Sequence, residues 1–158
     1  MKTKSILFVC LGNICRSPTA HAVFEKFVQN STAKDKIFVD SCGTGDWHIG
    51  HAPDERAITA AESYNFPISH LRARQLSSDD FSKFDLILAM DKKNLKDIQQ
   101  QCPSNYQGKI ELFLNHLPGS DLDEVPDPYF GSEKDFISTL NLIINTSKHL
   151  LKNIIEDT

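Results

Sequence analysis

The sequence has no long hydrophobic run, no internal repeat and no low-complexity segment. A membrane-spanning helix requires about 20 consecutive apolar residues, and every apolar stretch of this sequence is much shorter, so we expect no membrane insertion. Residues 1–9 contain two lysines and a short apolar run, but no small-residue cleavage site follows them. We therefore expect no signal peptide and a cytoplasmic location.

The chain also has few cysteines and no excess of positive charge. The chain has only four cysteines, Cys10, Cys15, Cys42 and Cys102. In a reducing compartment so few cysteines are more typical of free thiols than of a disulfide framework. No His, Cys and Asp residues cluster at metal-ligand spacing, so we expect neither a metal nor a cofactor. The formal net charge of -4 argues against nonspecific binding to nucleic acid.

Short apolar strands alternate with helical segments along the chain. The predicted strands are residues 5–9, 37–39, 85–89 and 110–113, and the predicted helices are a segment opening at Ser17 and Pro18 and residues 53–64, 92–101 and 132–155. This alternation predicts an α/β fold, with a four-stranded parallel sheet that helices cover on both faces. The length is that of one domain, so we predict a single domain over residues 1–158.

The segment after the first strand carries the strongest functional signal. Ligands bind such sheets at the carboxyl ends of the strands. The first strand ends in Cys-Leu-Gly-Asn-Ile-Cys-Arg-Ser, a C-x5-R-S pattern that is weak by itself. Between a buried strand and a helix, however, the intervening N–H groups can curl around an anion. The predicted phosphate-binding residues are Leu11, Gly12, Asn13, Ile14, Cys15, Arg16 and Ser17.

Cys10 is the predicted nucleophile of this loop. A thiol attacks phosphorus only as its thiolate, and a helix N-terminus, a ring of N–H donors and the Arg16 guanidinium all favour that anion. Arg16 can also hold two phosphate oxygens in a planar fork. Neither Cys42 nor Cys102 is followed by an arginine at the same spacing. Cys10 is therefore the sole candidate.

Three further residues are predicted to shape the loop. Gly12 should supply a backbone conformation or a close approach that a Cβ atom would prevent. Asn13 can adopt a left-handed conformation and hold the loop through its amide, although an ordinary turn asparagine is an alternative. Ser17 is predicted to be the N-cap of the following helix, and its hydroxyl is also placed to bond the Cys10 sulfur.

With these residues, the chain resembles the low-molecular-weight protein tyrosine phosphatases. Residue 9 is Val, whereas the larger tyrosine-phosphatase superfamily usually has His before its nucleophile. The resemblance covers nearly the whole chain in order and implies the four-stranded parallel sheet of that family. Besides residues 9–18, it rests on Val39-Asp40-Ser41, Asp46-Trp47, Pro53-Asp54, His70, Ala73-Arg74-Gln75, Met90-Asp91 and Asp127-Pro128-Tyr129.

The resemblance implies a hydrolase for protein phosphotyrosine and other aryl phosphomonoesters that works through a phosphocysteine intermediate. The general acid and base of the family is the Asp of a D-P-Y segment, which here is Asp127. Pro126 and Pro128 would stiffen the backbone around it. From spacing alone, an ordinary solvated loop carboxylate remains the alternative.

Other roles also follow from the resemblance. Trp47 and Tyr129 match positions that wall the substrate cleft, and a partly buried aromatic pair is the alternative. His70 matches a histidine that hydrogen-bonds the loop asparagine, here Asn13, with a surface histidine as the alternative. Cys15 matches a second loop cysteine that can form a reversible disulfide with the nucleophile. The implied partners are phosphotyrosine proteins or small aryl phosphates, and the implied state is a monomer or weak homodimer.

Other functional classes share parts of this pattern. A thioredoxin-coupled arsenate reductase has a similar fold and the same C-x5-R loop, but it needs a further reactive cysteine pair downstream. Residues 82–90 contain no cysteine and Cys102 stands alone. A phosphocysteine carrier or a phosphate-binding module would use the loop without Asp127 and the aromatic wall. Turnover of an aryl phosphate separates these classes from a phosphatase.

Overall fold

Strands and helices alternate through residues 1–157, the part of the chain that the computed structural model describes. The strands are β1 (Lys4–Cys10), β2 (Ile37–Gly43), β3 (Leu86–Ala89) and β4 (Lys109–Leu112). The helices are α1 (Arg16–Gln29), α2 (Glu55–Ser63), α3 (Asp80–Lys83), α4 (Lys92–Gln101) and α5 (Glu133–Glu156), with a 3₁₀ helix at Phe113–His116. Within these residues, none of the helices combines the length and hydrophobicity that a bilayer-spanning segment requires.

The four strands form one parallel sheet in the order β2-β1-β3-β4. Val9 of β1 lies opposite Cys42 of β2 on one side and opposite Ala89 of β3 on the other. The chain therefore moves from β1 to one neighbour and then returns to the opposite side, so the strand order reverses between β1 and β3. A crevice forms at such a reversal, outside the carboxyl ends of the strands. The predicted four-stranded parallel sheet is confirmed.

The central strand β1 is buried on both faces of the sheet, which explains its continuous apolar run. Ile6 and Phe8 belong to the hydrophobic cluster that includes α1, α2 and α5, whereas Leu7 and Val9 belong to the cluster that includes α3 and α4. The Phe8 ring meets two other phenylalanine rings edge to face, at centroid distances of 5.7 Å and 5.4 Å. This packing holds the end of β1 firmly at the centre of the sheet.

The helix after β1 begins earlier than predicted. Helix α1 starts at Arg16 with Cys15 as its N-cap, so the prediction that Ser17 is the N-cap is wrong. The Ser17 hydroxyl instead lies 3.0 Å from the Cys10 sulfur, so it does not cap the helix. Pro18 occupies the first turn, where its missing N–H costs no intrahelical bond. Strand β2 is also longer than predicted, and α3 and the 3₁₀ helix were not predicted.

Candidate active site

The segment from Cys10 to Ser17 forms a loop between β1 and α1, at the crevice where the strand order reverses. A cavity of about 230 Å³ opens above it. The cavity is lined by Cys10, Leu11, Gly12, Ile14, Cys15, Arg16, Trp47, His48, Asp127, Tyr129 and Phe130. The structure therefore brings together most of the residues predicted for the site, which come from distant parts of the chain.

The backbone of the loop is held from outside through its carbonyl groups. Gly45 donates its N–H to the carbonyl oxygen of Leu11 at 2.9 Å, and Asp54 donates its N–H to that of Ile14 at 2.8 Å. The N–H groups of residues 11–15 donate no hydrogen bond to any residue between 1 and 157. These donors are therefore left to bind an anion in the concave side of the loop.

Cys10 lines the cavity, although the residue is almost completely buried. The Ser17 hydroxyl oxygen is 3.0 Å from the Cys10 sulfur. The same oxygen accepts a hydrogen bond of 2.7 Å from the Asn13 amide, and the hydroxyl is placed to donate its one proton either to the carbonyl oxygen of Cys42 at 3.2 Å or to the sulfur. A hydroxyl held in this position can donate its proton to a thiolate.

Asn13 adopts the left-handed conformation that the sequence predicted, with a φ of 56°. Its side-chain amide donates to Ser17, and its amide oxygen accepts a hydrogen bond of 3.0 Å from the backbone N–H of Arg74. The predicted bond from His70 is wrong, because these two partners hold the amide and the His70 side chain is exposed to solvent. His70 lies in a turn four residues before Arg74. The group that bonds the Asn13 side chain from this part of the chain is the backbone N–H of Arg74 and not the His70 ring.

Two glycines allow close packing around the loop. A Cβ atom on Gly12 would lie 2.9 Å from the His48 ring, so of the two predicted reasons for this glycine the structure favours the close approach. A Cβ atom on Gly43, at the end of β2, would lie only 2.6 Å from the carbonyl oxygen of Leu11. The sequence pattern did not single out Gly43, because its neighbour in space is far away along the chain.

The Arg16 side chain is buried beside the loop and is fixed along one edge. Its Nη1 atom donates to an Asp91 carboxylate oxygen at 2.8 Å and to the carbonyl oxygen of Val125 at 3.0 Å. Burial disfavours the charged guanidinium, but the nearby Cys10, Asp91 and Asp127 raise the pKa of Arg16 above its ordinary value. The guanidinium is therefore a permanent positive charge at the wall of the cavity.

Asp91 was not predicted as a site residue, although it was part of the resemblance. It directly follows β3, and its carboxylate also caps α4 by accepting a hydrogen bond of 2.7 Å from the N–H of Asn94. One carboxylate therefore both starts a helix and orients Arg16. Its place at the carboxyl end of the neighbouring strand is the signal by which the sequence could have identified it.

Asp127 reaches the cavity from the loop that precedes α5. Its Oδ2 atom lies 3.6 Å from Arg16 Nη2, and its side chain is 42% exposed. The other carboxylate oxygen accepts a hydrogen bond of 3.1 Å from the N–H of Tyr129. A carboxyl group in this position can exchange protons with solvent and with a molecule bound in the cavity.

Aromatic side chains form the mouth of the cavity. Trp47 and Tyr129 line it as predicted, and Phe130 and His48 line it as well. Trp47 is 65% exposed and Phe130 is 95% exposed, so large apolar surfaces stand free at the opening. A planar group bound above the loop would therefore enter between aromatic rings.

The remaining cysteines differ from Cys10 in their surroundings. All four cysteines are free thiols. Burial raises the pKa of Cys15, and the neighbouring Asp54 carboxylate raises it further. Burial also raises the pKa of Cys42. Among residues 1–157, no group of three or more His, Cys, Asp or Glu side chains is arranged to hold a metal ion.

Comparison with known proteins adds a family to this geometry. Residues 5–158 match the family model described as low molecular weight phosphotyrosine protein phosphatase. The chain belongs to this family. The low molecular weight phosphotyrosine protein phosphatase of Sus scrofa is 39% identical over 154 residues, which are 96% of each chain. That of Schizosaccharomyces pombe is 40% identical over 154 residues, covering 97% of this chain and 98% of its own.

Solved structures show the same likeness. A protein tyrosine phosphatase from Entamoeba histolytica superposes with a TM-score of 0.93 at 36% identity, covering 98% of this chain and 99% of its own. The family and the fold implied by the sequence resemblance are both confirmed. The structure is thus that of a low molecular weight phosphotyrosine protein phosphatase over nearly the whole chain.

Proposed function

We propose that this protein hydrolyses aryl phosphomonoesters, above all phosphotyrosine in proteins, through a phosphocysteine intermediate. One observation carries the proposal: Cys10, Arg16 and Asp127 line one cavity, and the loop between Cys10 and Arg16 has N–H groups with no hydrogen-bond partner among residues 1–157. A nucleophile, an anion cradle and a proton donor are what phosphoryl transfer to a thiolate requires. Membership of the family supports the same chemistry.

In the first step, the Cys10 thiolate attacks phosphorus and the bond between phosphorus and the ester oxygen breaks. The N–H groups and Arg16 hold the three other phosphate oxygens as charge spreads over them. Nη1 of Arg16 is already bonded to Asp91 and Val125, so its Nε and Nη2 atoms form the edge that faces the phosphate. Asp127 transfers its proton to the leaving phenolic oxygen.

In the second step, water hydrolyses the phosphocysteine. The Asp127 carboxylate, which lost its proton in the first step, takes a proton from the water as this attacks phosphorus. The bond between sulfur and phosphorus breaks, and inorganic phosphate and the Cys10 thiolate result. The Ser17 hydroxyl, 3.0 Å from the sulfur, stabilises the departing thiolate.

The aromatic mouth accounts for a preference for aryl esters. A phenyl ring attached to a phosphate in the loop would extend between Trp47 and Tyr129, where ring contacts and burial of apolar surface favour binding. The short alkyl chain of a serine phosphate would leave these faces uncovered. Phosphotyrosine proteins and small aryl phosphates are therefore the proposed substrates.

Turnover of p-nitrophenyl phosphate and of a phosphotyrosine peptide, measured in EDTA, tests the proposal. We expect Cys10→Ser and Arg16→Ala to abolish turnover of both substrates, and Asp127→Ala to lower kcat/KM for the phosphotyrosine peptide by about a hundredfold or more, with a smaller loss for p-nitrophenyl phosphate. Cys102→Ser is the matched control and should keep full activity, because Cys102 does not line the cavity.

A Cys10→Ser variant as active as the parent would refute the mechanism. Oxidation of thioredoxin that depends on arsenate would favour the reductase. Stoichiometric binding of phosphate without turnover would favour a binding module or a phosphocysteine carrier.

A further inference from the structure

An ion pair between Asp54 and Arg56 lies at the start of α2, next to the cavity. Arg56 donates from Nε to Asp54 Oδ1 at 3.1 Å and from Nη2 to Asp54 Oδ2 at 2.9 Å, which is a two-point contact. Asp54 is also the N-cap of α2, accepting a hydrogen bond of 2.8 Å from the N–H of Arg56. Such a planar fork fixes the direction of the guanidinium more firmly than a single contact would.

One side of this pair is attached to the phosphate-binding loop. The Asp54 N–H donates to the carbonyl oxygen of Ile14 at 2.8 Å. The start of α2, and with it the Asp54 carboxylate, therefore has a fixed position relative to the loop that follows Cys10.

The other side of the pair holds the segment that carries Asp127. The Arg56 guanidinium carbon lies 5.6 Å from the centroid of the Tyr129 ring and 4.5 Å from that of the Phe136 ring. Arg56 Nη1 also donates to the carbonyl oxygen of Gly131 at 3.5 Å. A guanidinium that meets aromatic rings in this way is attracted by their π electrons.

Residues 126–131 have few other polar attachments. The bonds from Tyr129 to Asp127 and from Gly131 to Pro128 are internal to the segment. Arg16 and Arg56 make the only polar contacts between this segment and the rest of residues 1–157. The Arg16 contact is a single approach of 3.6 Å to Asp127, whereas Arg56 makes two polar contacts with the segment, one to the Gly131 carbonyl group and one to the Tyr129 ring.

We propose that Arg56, oriented by Asp54, is a positioning residue that holds Tyr129 and the Asp127 carboxyl over the phosphate-binding loop. This rests on the proposed function, in which Asp127 protonates the leaving oxygen. Arg56 itself does not line the cavity. It acts through the segment that it holds.

The test uses leaving groups that differ in their need for a proton. Phenoxide resembles the ionised tyrosine side chain, whose ordinary pKa is about 10, and it leaves poorly without protonation. The p-nitrophenolate ion is a weaker base and leaves with little help. For Arg56→Met we expect kcat/KM for phenyl phosphate to fall about tenfold or more, and that for p-nitrophenyl phosphate to fall less than about threefold. Inhibition by inorganic phosphate, which reports the loop alone, should be unchanged.

Two further variants keep the result interpretable if Arg56→Met folds poorly. Arg56→Lys keeps the charge but lacks the fork, so we expect partial recovery of phenyl phosphate turnover. Asp54→Asn keeps an N-cap oxygen but loses the charge that orients Arg56. We therefore expect kcat/KM for phenyl phosphate to fall selectively here too, but by less than in Arg56→Met. Arg72→Met is the matched control: Arg72 is exposed and bonds only the carbonyl groups of Ser69 and Leu71, so both substrates should be unaffected.

Equal losses for both substrates together with weaker phosphate inhibition would overturn the inference, and so would no change for either. Asp127→Ala, measured in parallel, separates the two proposals. If Asp127→Ala loses phenyl phosphate turnover selectively and Arg56→Met does not, only the role of Arg56 fails. If Asp127→Ala shows no selective loss, the assigned proton donor and the role of Arg56 both fail.

Discussion

Cys10 and Cys15 belong to the same short loop, yet their surroundings differ in charge. The Cys10 sulfur lies against the Ser17 hydroxyl. Burial lowers the pKa of the Arg16 guanidinium, but the nearby Cys10, with the carboxylates of Asp91 and Asp127, raises it above its ordinary value. Cys15 is buried near the Asp54 carboxylate, and both effects raise the pKa of its thiol. Two cysteines in one loop are therefore placed in opposite chemical settings.

This difference predicts selective alkylation by iodoacetate at neutral pH. Cys10 should react first, while Cys15 and Cys42 should stay unmodified, because only thiolates react and burial keeps these two protonated. Mass spectrometry of tryptic peptides measures the order of modification. Inorganic phosphate should protect Cys10 but not the partly exposed Cys102, which serves as the control. Alkylation of Cys15 before Cys10 would contradict the prediction.

At the scale of elements, the end of β2 supports the loop after β1. Gly43 pairs with Cys10 in the parallel register, and its N–H donates to the carbonyl oxygen of Arg74 at 2.9 Å. Its missing Cβ atom lets the strand pass against the backbone of Leu11 and Asn13. The shape of the loop thus depends on a neighbouring strand as well as on its own residues.

We therefore expect Gly43→Ala to distort the loop. The new Cβ atom would lie 2.6 Å from the carbonyl oxygen of Leu11 and 3.0 Å from the Asn13 nitrogen, and backbone atoms cannot move aside cheaply. A displacement of reacting groups by roughly 1 Å can cost about a hundredfold in rate, so kcat/KM for p-nitrophenyl phosphate should fall by about that factor.

Gly119→Ala is the control for this substitution. Gly119 has a φ of 70°, and no atom lies within 4 Å of its Cβ position. Replacing it should cost about 1–2 kcal/mol of stability through backbone strain, with no change in kcat/KM. Unaltered kinetics in Gly43→Ala would show that the loop tolerates displacement of β2.

At the scale of the whole molecule, two hydrophobic clusters hold the sheet from its opposite faces. Tyr106 packs at the edge of the cluster that includes α3 and α4, with its ring edge-on to Phe81 at 5.5 Å. Its hydroxyl donates to the carbonyl oxygen of Phe84 at 2.8 Å. Burial raises the pKa of Tyr106 to about 12.

The raised pKa predicts a loss of stability at alkaline pH. In the unfolded chain Tyr106 ionises near its ordinary pKa of about 10, whereas the folded protein keeps it neutral until about pH 12. Its contribution to stability is therefore complete below about pH 10 and is lost as the pH rises toward 12. Urea unfolding at a series of pH values measures this loss.

Tyr106→Phe should reduce the alkaline loss, and at neutral pH it should cost about 1 kcal/mol for the missing hydrogen bond. Tyr64→Phe is the control, because the Tyr64 ring is exposed at the surface. The two variants should differ in the slope of stability against pH above about pH 10. Equal slopes would contradict the assignment to Tyr106.

The sequence alone determined the four strands of this fold, its four longer helices and the place of its main loop. Apolar strands alternating with helices predicted the parallel sheet, and the C-x5-R-S pattern after the first strand located Cys10, Arg16 and the left-handed Asn13. These features are local: the hydrophobic period, the turn residues and the order of side chains along a few residues specify them.

Only the tertiary structure decided what surrounds that loop. Arg16 bonds Asp91 and Val125, which lie 75 and 109 residues away. The Asn13 amide binds the backbone of Arg74, 61 residues away, and not the side chain of His70. Such contacts depend on which strands become neighbours and on the path of the chain between them. A strand order of β2-β1-β3-β4 brings these segments together, and no short pattern in the sequence encodes their distances.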